Sequence, residues 1–266
     1  MNKQSTFEMD THTTAPPRSV RILGVRLDNV TSDDAVARIV AMALSGSPHH
    51  VMTVNPEFIM IAQQDAIFRA TLEKATLCIA DGVGVLWASR LLKRPLAERI
   101  TGVDTVNKIA PLAAQHGIRI FLLGAAPGVA EQTARILEDR NPGLIIAGCY
   151  SGSPRPEEEE DICRRIESAH PHILLVAFGA PKQDLWIART QSRLGIPVAI
   201  GVGGTFDFIA GIAIRAPHWM QAIGMEWFYR LVREPWRWRR MMALPRFAAA
   251  VVQSKINGRR DSADGR

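Results

Sequence analysis

Between residues 21 and 202 the chain alternates between short apolar runs and longer amphipathic stretches. The runs cover residues 21–27, 50–54, 76–80, 119–123, 144–149, 173–177 and 197–202. They show little of the every-second-residue polarity of a strand with one wet face, so both faces of each strand are expected to be covered. The intervening stretches carry helix chemistry. Thr31 followed by Asp34 has capping-box spacing and opens a helix toward Leu44. Asn55 can cap a helix whose first residue is Pro56. Further helices are expected over residues 83–92, 103–116, 129–139, 157–168 and 183–193. Buried strands alternating with helices predict an α/β fold, a Rossmann-like, mostly parallel sheet with helices on both faces.

Residues 195–214 are long enough to suggest a membrane span and carry a single charge, Asp207. Pro197 and four glycines between Gly201 and Gly211 argue instead for a buried strand followed by a glycine loop. The first 17 residues are largely polar and lack an apolar signal-peptide core. Three scattered cysteines show no disulfide framework or metal-ligand spacing, which suits a reducing cytoplasm.

The texture changes after Gly211. Four of the six tryptophans follow it, at 219, 227, 236 and 238. Between residues 212 and 260, ten Lys or Arg face two Glu, although the whole chain carries only +6, so the remainder is slightly acidic. The basic segment calls for an anionic partner, and interleaved Trp and Arg suit a membrane surface as well as a catalytic role. The expected organisation is a disordered tail (1–18), an α/β catalytic core (19–211), a small helical membrane-associating appendage (212–258) and a second disordered tail (259–266).

In a parallel sheet the turns after the strands gather on one rim, where ligands bind. Here that rim collects Thr53, Asn55, Glu57, Asp81, the turn 124–128, Lys182, Gln183, and the run Gly201-Val-Gly-Gly204. Asp81 follows an apolar strand and precedes a glycine and a helix. A carboxylate there is partly desolvated and suits a general base, though it can equally cap the helix. Asn55 has the same capping alternative, and the Thr53 hydroxyl can be satisfied locally. Gly203 and Gly204 can offer backbone N–H groups to a phosphate, but neither glycine run is GxGxxG, so a nicotinamide-dependent enzyme is disfavoured. Gly179 to Gln183 reads as a tight turn or an anion and sugar contact. No HExxH, zinc spacing or D-x-D motif is present, so no metal or other cofactor is expected and arginines must offset any diphosphate charge. Arg99 precedes a helix start. Arg233, Arg237 and Arg240 can share one helical face if Pro235 lies in its first turn.

These motifs together resemble one family. They are Thr-Val-Asn-Pro-Glu-Phe (53–58), Ala-Asp-Gly-Val-Gly (80–84), Glu-Arg-Ile-Thr-Gly-Val-Asp (98–104), Phe-Leu-Leu-Gly-Ala (121–125), Gly-Ala-Pro-Lys-Gln-Asp (179–184) and Gly-Val-Gly-Gly-Thr-Phe-Asp (201–207). Arg-Ala-Pro-His-Trp-Met (215–220), Gly-Met-Glu-Trp-Phe-Tyr-Arg-Leu (224–231) and Glu-Pro-Trp-Arg (234–237) complete the set. In this order they resemble the WecG/TagA/CpsF glycosyltransferases over about residues 20–248. The resemblance implies an inverting, metal-independent transfer from a UDP-sugar to the C4 hydroxyl of a sugar on polyprenyl diphosphate. The transferred sugar would be N-acetylmannosamine, its uronic acid or glucose, and the product a cell-surface or exopolysaccharide precursor. It also implies that Asp81 is the base and that Thr53, Asn55, Arg99 and Gln183 line the pocket. Arg230, Arg237 and Arg240 would belong to an appendage that closes over the site. The enzyme would then work as a peripheral protein on the cytoplasmic face of the inner membrane, with no nucleic-acid partner; the oligomeric state is not legible.

Two positions depart from the family pattern. Asp184 stands where Glu is usual, and Ser-Gly-Ser-Pro follows Tyr150 where many members have Gly and aromatics. The rival reading is a non-catalytic module that binds membrane or nucleic acid; a slightly acidic core argues against nucleic acid.

Overall fold

A computed structural model describes residues 19–217, 219–220, 225–235 and 238–263. In chain order the elements are β1 (Ser19–Ile22), β2 (Val25–Asp28), α1 (Ser32–Ser45), β3 (His49–Val54), α2 (Pro56–Ala62), α3 (Ala66–Lys74), β4 (Leu77–Ala80) and α4 (Val83–Leu91). Then come α5 (Gly102–His116), β5 (Arg119–Gly124), α6 (Val129–Arg140), β6 (Ile145–Tyr150), α7 (Pro156–Ala169), β7 (Ile173–Ala177), α8 (Lys182–Leu194), β8 (Val198–Gly201) and α9 (Thr205–Ile209). The C-terminal segment contributes α10 (Glu226–Arg233), α11 (Trp238–Met241) and α12 (Ala243–Ala263).

Six strands form one parallel sheet in the order β4-β3-β8-β7-β5-β6. Apolar residues leave both faces of it. On β3, Val51 enters the core shared with α1, α5 and α6, while Met52 and Val54 enter the core shared with α2, α3 and α4. A third cluster joins β5 and β7 to α7 and α8. Helices therefore cover both faces, as the apolar strands required.

The helix starts follow the local signals. Thr31 and Asp34 form the reciprocal capping box of α1. Asn55 Oδ1 accepts the Phe58 N–H at 3.1 Å, with Pro56 at the first position of α2. Helix α3 was not anticipated: it is nine residues long and buries only Phe68, Thr71 and Leu72, although Asp65 caps it by accepting two amides.

The first apolar run is not one strand. Leu23 and Gly24 both adopt positive φ, 49° and 81°, so the chain turns back as a two-residue hairpin between β1 and β2. Gly24 tolerates that conformation without steric cost. The hairpin seats beside β4, where Asp28 Oδ2 accepts the Cys78 N–H at 2.8 Å.

Residues 195–214 contain the expected buried strand, β8, and a glycine loop at 202–204, followed by a short helix, α9, that was not anticipated. Among the described residues no helix is long and apolar enough to cross a membrane. The C-terminal segment is anchored in the fold: Phe247 and Val251 of α12 are fully enclosed in the cluster that holds Phe58, Ile59 and Val85. Burying these two side chains contributes about 4 kcal/mol. Helix α12 also takes in the first five residues of the expected C-terminal tail, whereas residues 1–18 lie outside the described residues.

Candidate active site

A cavity of about 300 Å³ opens over the carboxyl ends of β4, β3, β8 and β7, where α10, α11 and α12 also reach. Its wall includes Thr53, Asn55, Asp81, Arg99, Gln183, Gly203 and Gly204, so residues spread over 150 positions of the chain meet at one place. Lys182 and the turn at 124–128, both on the same rim, do not line it.

Asp81 lies at the end of β4, its N–H donating to Val54 O at 2.8 Å. The capping alternative does not hold. Gly82, at φ 96°, is the N-cap of α4, and no side chain caps that helix. That φ is open to glycine, which frees the preceding carboxylate from the helix end. The carboxylate has no hydrogen bond among the described residues and faces the cavity half-buried. Burial pushes its pKa up to about 7, Arg99 and Arg215 opposing the rise and Glu226 and Asp104 reinforcing it.

The neighbouring polar groups are partly committed to holding the wall. Thr53 donates its hydroxyl to Gly201 O at 3.0 Å, tying β3 to β8. The Asn55 carbonyl oxygen serves the α2 cap, leaving its NH2 for a ligand. Gln183 is buried, and its Oε1 accepts both the Gly179 and the Gly203 N–H groups, at 3.1 and 3.0 Å. It clamps two rim turns together. The amides of Val202 and Gly203 are both taken, so the glycine run is not a multi-amide phosphate cradle; Gly204 is its remaining open position. Gly201 must be glycine for a different reason. A Cβ there would sit 2.4 Å from Gln183 Nε2 and 2.5 Å from Asp184 Oδ1. Asp184 is itself fully enclosed, 3.4 Å from His50 Nε2, and burial raises its pKa.

Charged groups ring the mouth. Arg99 Nη1 reaches Glu226 Oε2 at 3.4 Å, and Arg215 Nη1 reaches Asp104 Oδ1 at 2.9 Å. Burial works to raise the Asp104 pKa, but hydrogen bonds from Arg215 and Thr101 outweigh it and hold the carboxyl below its ordinary value. Arg240 pairs with Glu57 along one guanidinium edge, Nε donating to Oε1 at 2.9 Å and Nη2 to Oε2 at 2.7 Å. Sequence reasoning placed Glu57 on the rim but assigned no role to Asp104, Arg215 or Glu226, although all four lie inside the motifs quoted above.

Of the expected single face of Arg233, Arg237 and Arg240, the two described residues, Arg233 and Arg240, lie on separate helices. Helix α10 ends at Arg233, and Pro235, which lacks an N–H to continue it, precedes a separate helix that starts at Trp238. Arg233 instead lies over the Tyr229 ring, 5.9 Å from its centroid. Arg230 falls on α10 with its side chain outside the described atoms, and Arg237 lies outside the described residues.

Comparison with known proteins gives a consistent result. The model of the glycosyl transferase WecG/TagA/CpsF family matches residues 20–261. The chain is similar to the N-acetylglucosaminyldiphosphoundecaprenol N-acetyl-beta-D-mannosaminyltransferase of Bacillus subtilis (strain 168), 34% identical over 207 residues, which are 78% of this chain and 80% of that protein. It is also similar to the protein of the same name from Staphylococcus aureus (strain MRSA252), 32% identical over 238 residues, 89% of this chain and 93% of that one.

Proposed function

The chain belongs to the WecG/TagA/CpsF family of glycosyl transferases, and on that premise we propose that it moves a sugar from a UDP-sugar to the C4 hydroxyl of a sugar on polyprenyl diphosphate. The relatives are named for transfer of N-acetylmannosamine to N-acetylglucosaminyl-diphosphoundecaprenol, which makes this pair the first donor and acceptor to test.

The observation that carries the mechanism is the unspent Asp81 carboxylate, with its pKa near 7, in a cavity faced by guanidinium groups. A base of that strength is matched to accepting a proton at neutral pH. In the proposed step Asp81 takes the proton of the acceptor hydroxyl. The oxygen then bonds to the anomeric carbon of the donor while the bond to UDP breaks on the opposite face, inverting the configuration. Arg99 and Arg215 line the same cavity and can offset the charge that builds on the departing diphosphate. Gln183 and Thr53 hold the rim turns and strands so that the carboxylate and the donor keep their relative placement. The proposed setting is the cytoplasmic face of the inner membrane, where the exposed Trp219, Trp227 and Trp238 of the C-terminal segment would rest on anionic lipid.

The test is turnover of UDP-N-acetylmannosamine with a short-chain polyprenyl-diphosphate N-acetylglucosamine, read by mass spectrometry. Asp81→Asn is expected to lower kcat by roughly two to four orders of magnitude with the fold intact. Near-normal turnover in that variant removes Asp81 from the role of base.

A further inference from the structure

Glu226 is the first residue of α10 and projects into the cavity from the C-terminal segment. Its carboxylate lies between two arginines of different origin. Oε2 is 3.4 Å from Arg99 Nη1, in the loop before α5, and Oε1 is 3.7 Å from Arg215 Nε, in the stretch after α9. All three side chains are largely withdrawn from solvent, where an ion pair is only weakly screened.

We propose that Glu226 is a positioning residue that sets the strength of the base, by engaging the two arginines that line the cavity with Asp81. The inference rests on Asp81 being the base. The charged groups around that carboxylate are Arg99 from the loop before α5, Asp104 from α5, Arg215 and Glu226, with the Glu57–Arg240 pair on the α2 side of the cavity. With Glu226 in place, the guanidinium of Arg99 is neutralised and holds a proton acceptor at Asp81 less firmly in its ionised form. Without the Glu226 charge, Arg99 and Arg215 stabilise the Asp81 carboxylate more strongly and make it a weaker base.

The experiment uses the full chain and measures kcat/KM against pH with the donor and acceptor above. Removing the charge by Glu226→Gln is expected to move the acid limb of the profile by about half a pH unit or more to the acid side. Glu226→Asp, which keeps the charge, is expected to leave the limb near its wild-type position even if the rate falls. A purely structural role lowers the whole profile without displacing the limb, and an undisplaced limb in Glu226→Gln overturns the proposal. A carboxyl-13C NMR titration of Asp81 in wild type and Glu226→Gln reads the same displacement without turnover. Loss of turnover in Asp81→Asn together with an undisplaced limb in Glu226→Gln rejects the role of Glu226 alone, whereas an active Asp81→Asn rejects the base as well.

Discussion

At the scale of single residues, Asp81 shows how a catalytic group conflicts with stability. Its carboxyl has a folded-state pKa of about 7 against an ordinary 3.8, so the folded protein favours the protonated form. Stability is full below the unfolded value and falls as pH rises from about 4 through about 7, because ionisation is costly in the cavity and free in the unfolded chain. Asp81→Asn is therefore expected to be the more stable protein at pH 8, by about 2 kcal/mol or roughly 5 °C in Tm once partial exposure is discounted. At pH 4 the two should melt together. Thermal unfolding at both values checks this, and equal Tm at pH 8 would show that the carboxylate is solvated. The activity consequence has the opposite sign, with wild-type kcat/KM expected to rise with pH up to about 7 and then level off on its acid limb. Asp81, Asn55 and Gln183 were legible because each sits next to a strand end or helix start that local pattern reveals. Their uses were not equally legible: Asn55 does cap α2, whereas Asp81 is relieved of that task by Gly82.

Among the elements, α12 shows that the C-terminal segment has an apolar root. Phe247 and Val251 complete a core cluster that also draws on β1 to β4 and on α2, α3 and α4, and Gly84 lets α4 approach α2, where a Cβ would sit 2.9 Å from the Pro56 ring. Phe247→Ala should leave a cavity and cost about 3–4 kcal/mol in denaturant unfolding. An effect below about 1 kcal/mol would mean that α12 is not seated there in solution. It also follows that removing everything after Gly211 would strip core residues as well as the basic face. Point substitutions are the cleaner probe of that face. The longer helices α1 and α5 were legible, whereas α3 was missed, a nine-residue helix with three buried residues in two turns. The hairpin was missed too, where the apolar run is continuous and the reversal depends on the φ values of Leu23 and Gly24.

Across the whole molecule, a slightly acidic α/β core is joined to a basic C-terminal segment that exposes several aromatic side chains. Trp219, Trp227, Phe228 and Trp238 expose between 41% and 64% of their surface, an unusual share for such side chains. If they rest in lipid headgroups, a Trp219→Ala/Trp238→Ala variant should bind phosphatidylglycerol vesicles roughly tenfold more weakly in flotation assays. The same variant should keep Asp81-dependent chemistry on a soluble short-chain acceptor, and unchanged vesicle affinity would count against the membrane role. The sequence by itself determined the parallel α/β architecture, the capped helix starts and the rim on which the site lies. These follow from spacings of two to four residues, which local sterics and hydrogen bonding enforce. Only the tertiary structure decided that Gly82 frees Asp81 and that Glu226 meets Arg99 across 127 residues of chain. No local pattern encodes such a meeting, because it depends on how the last helices pack against a core that must first exist.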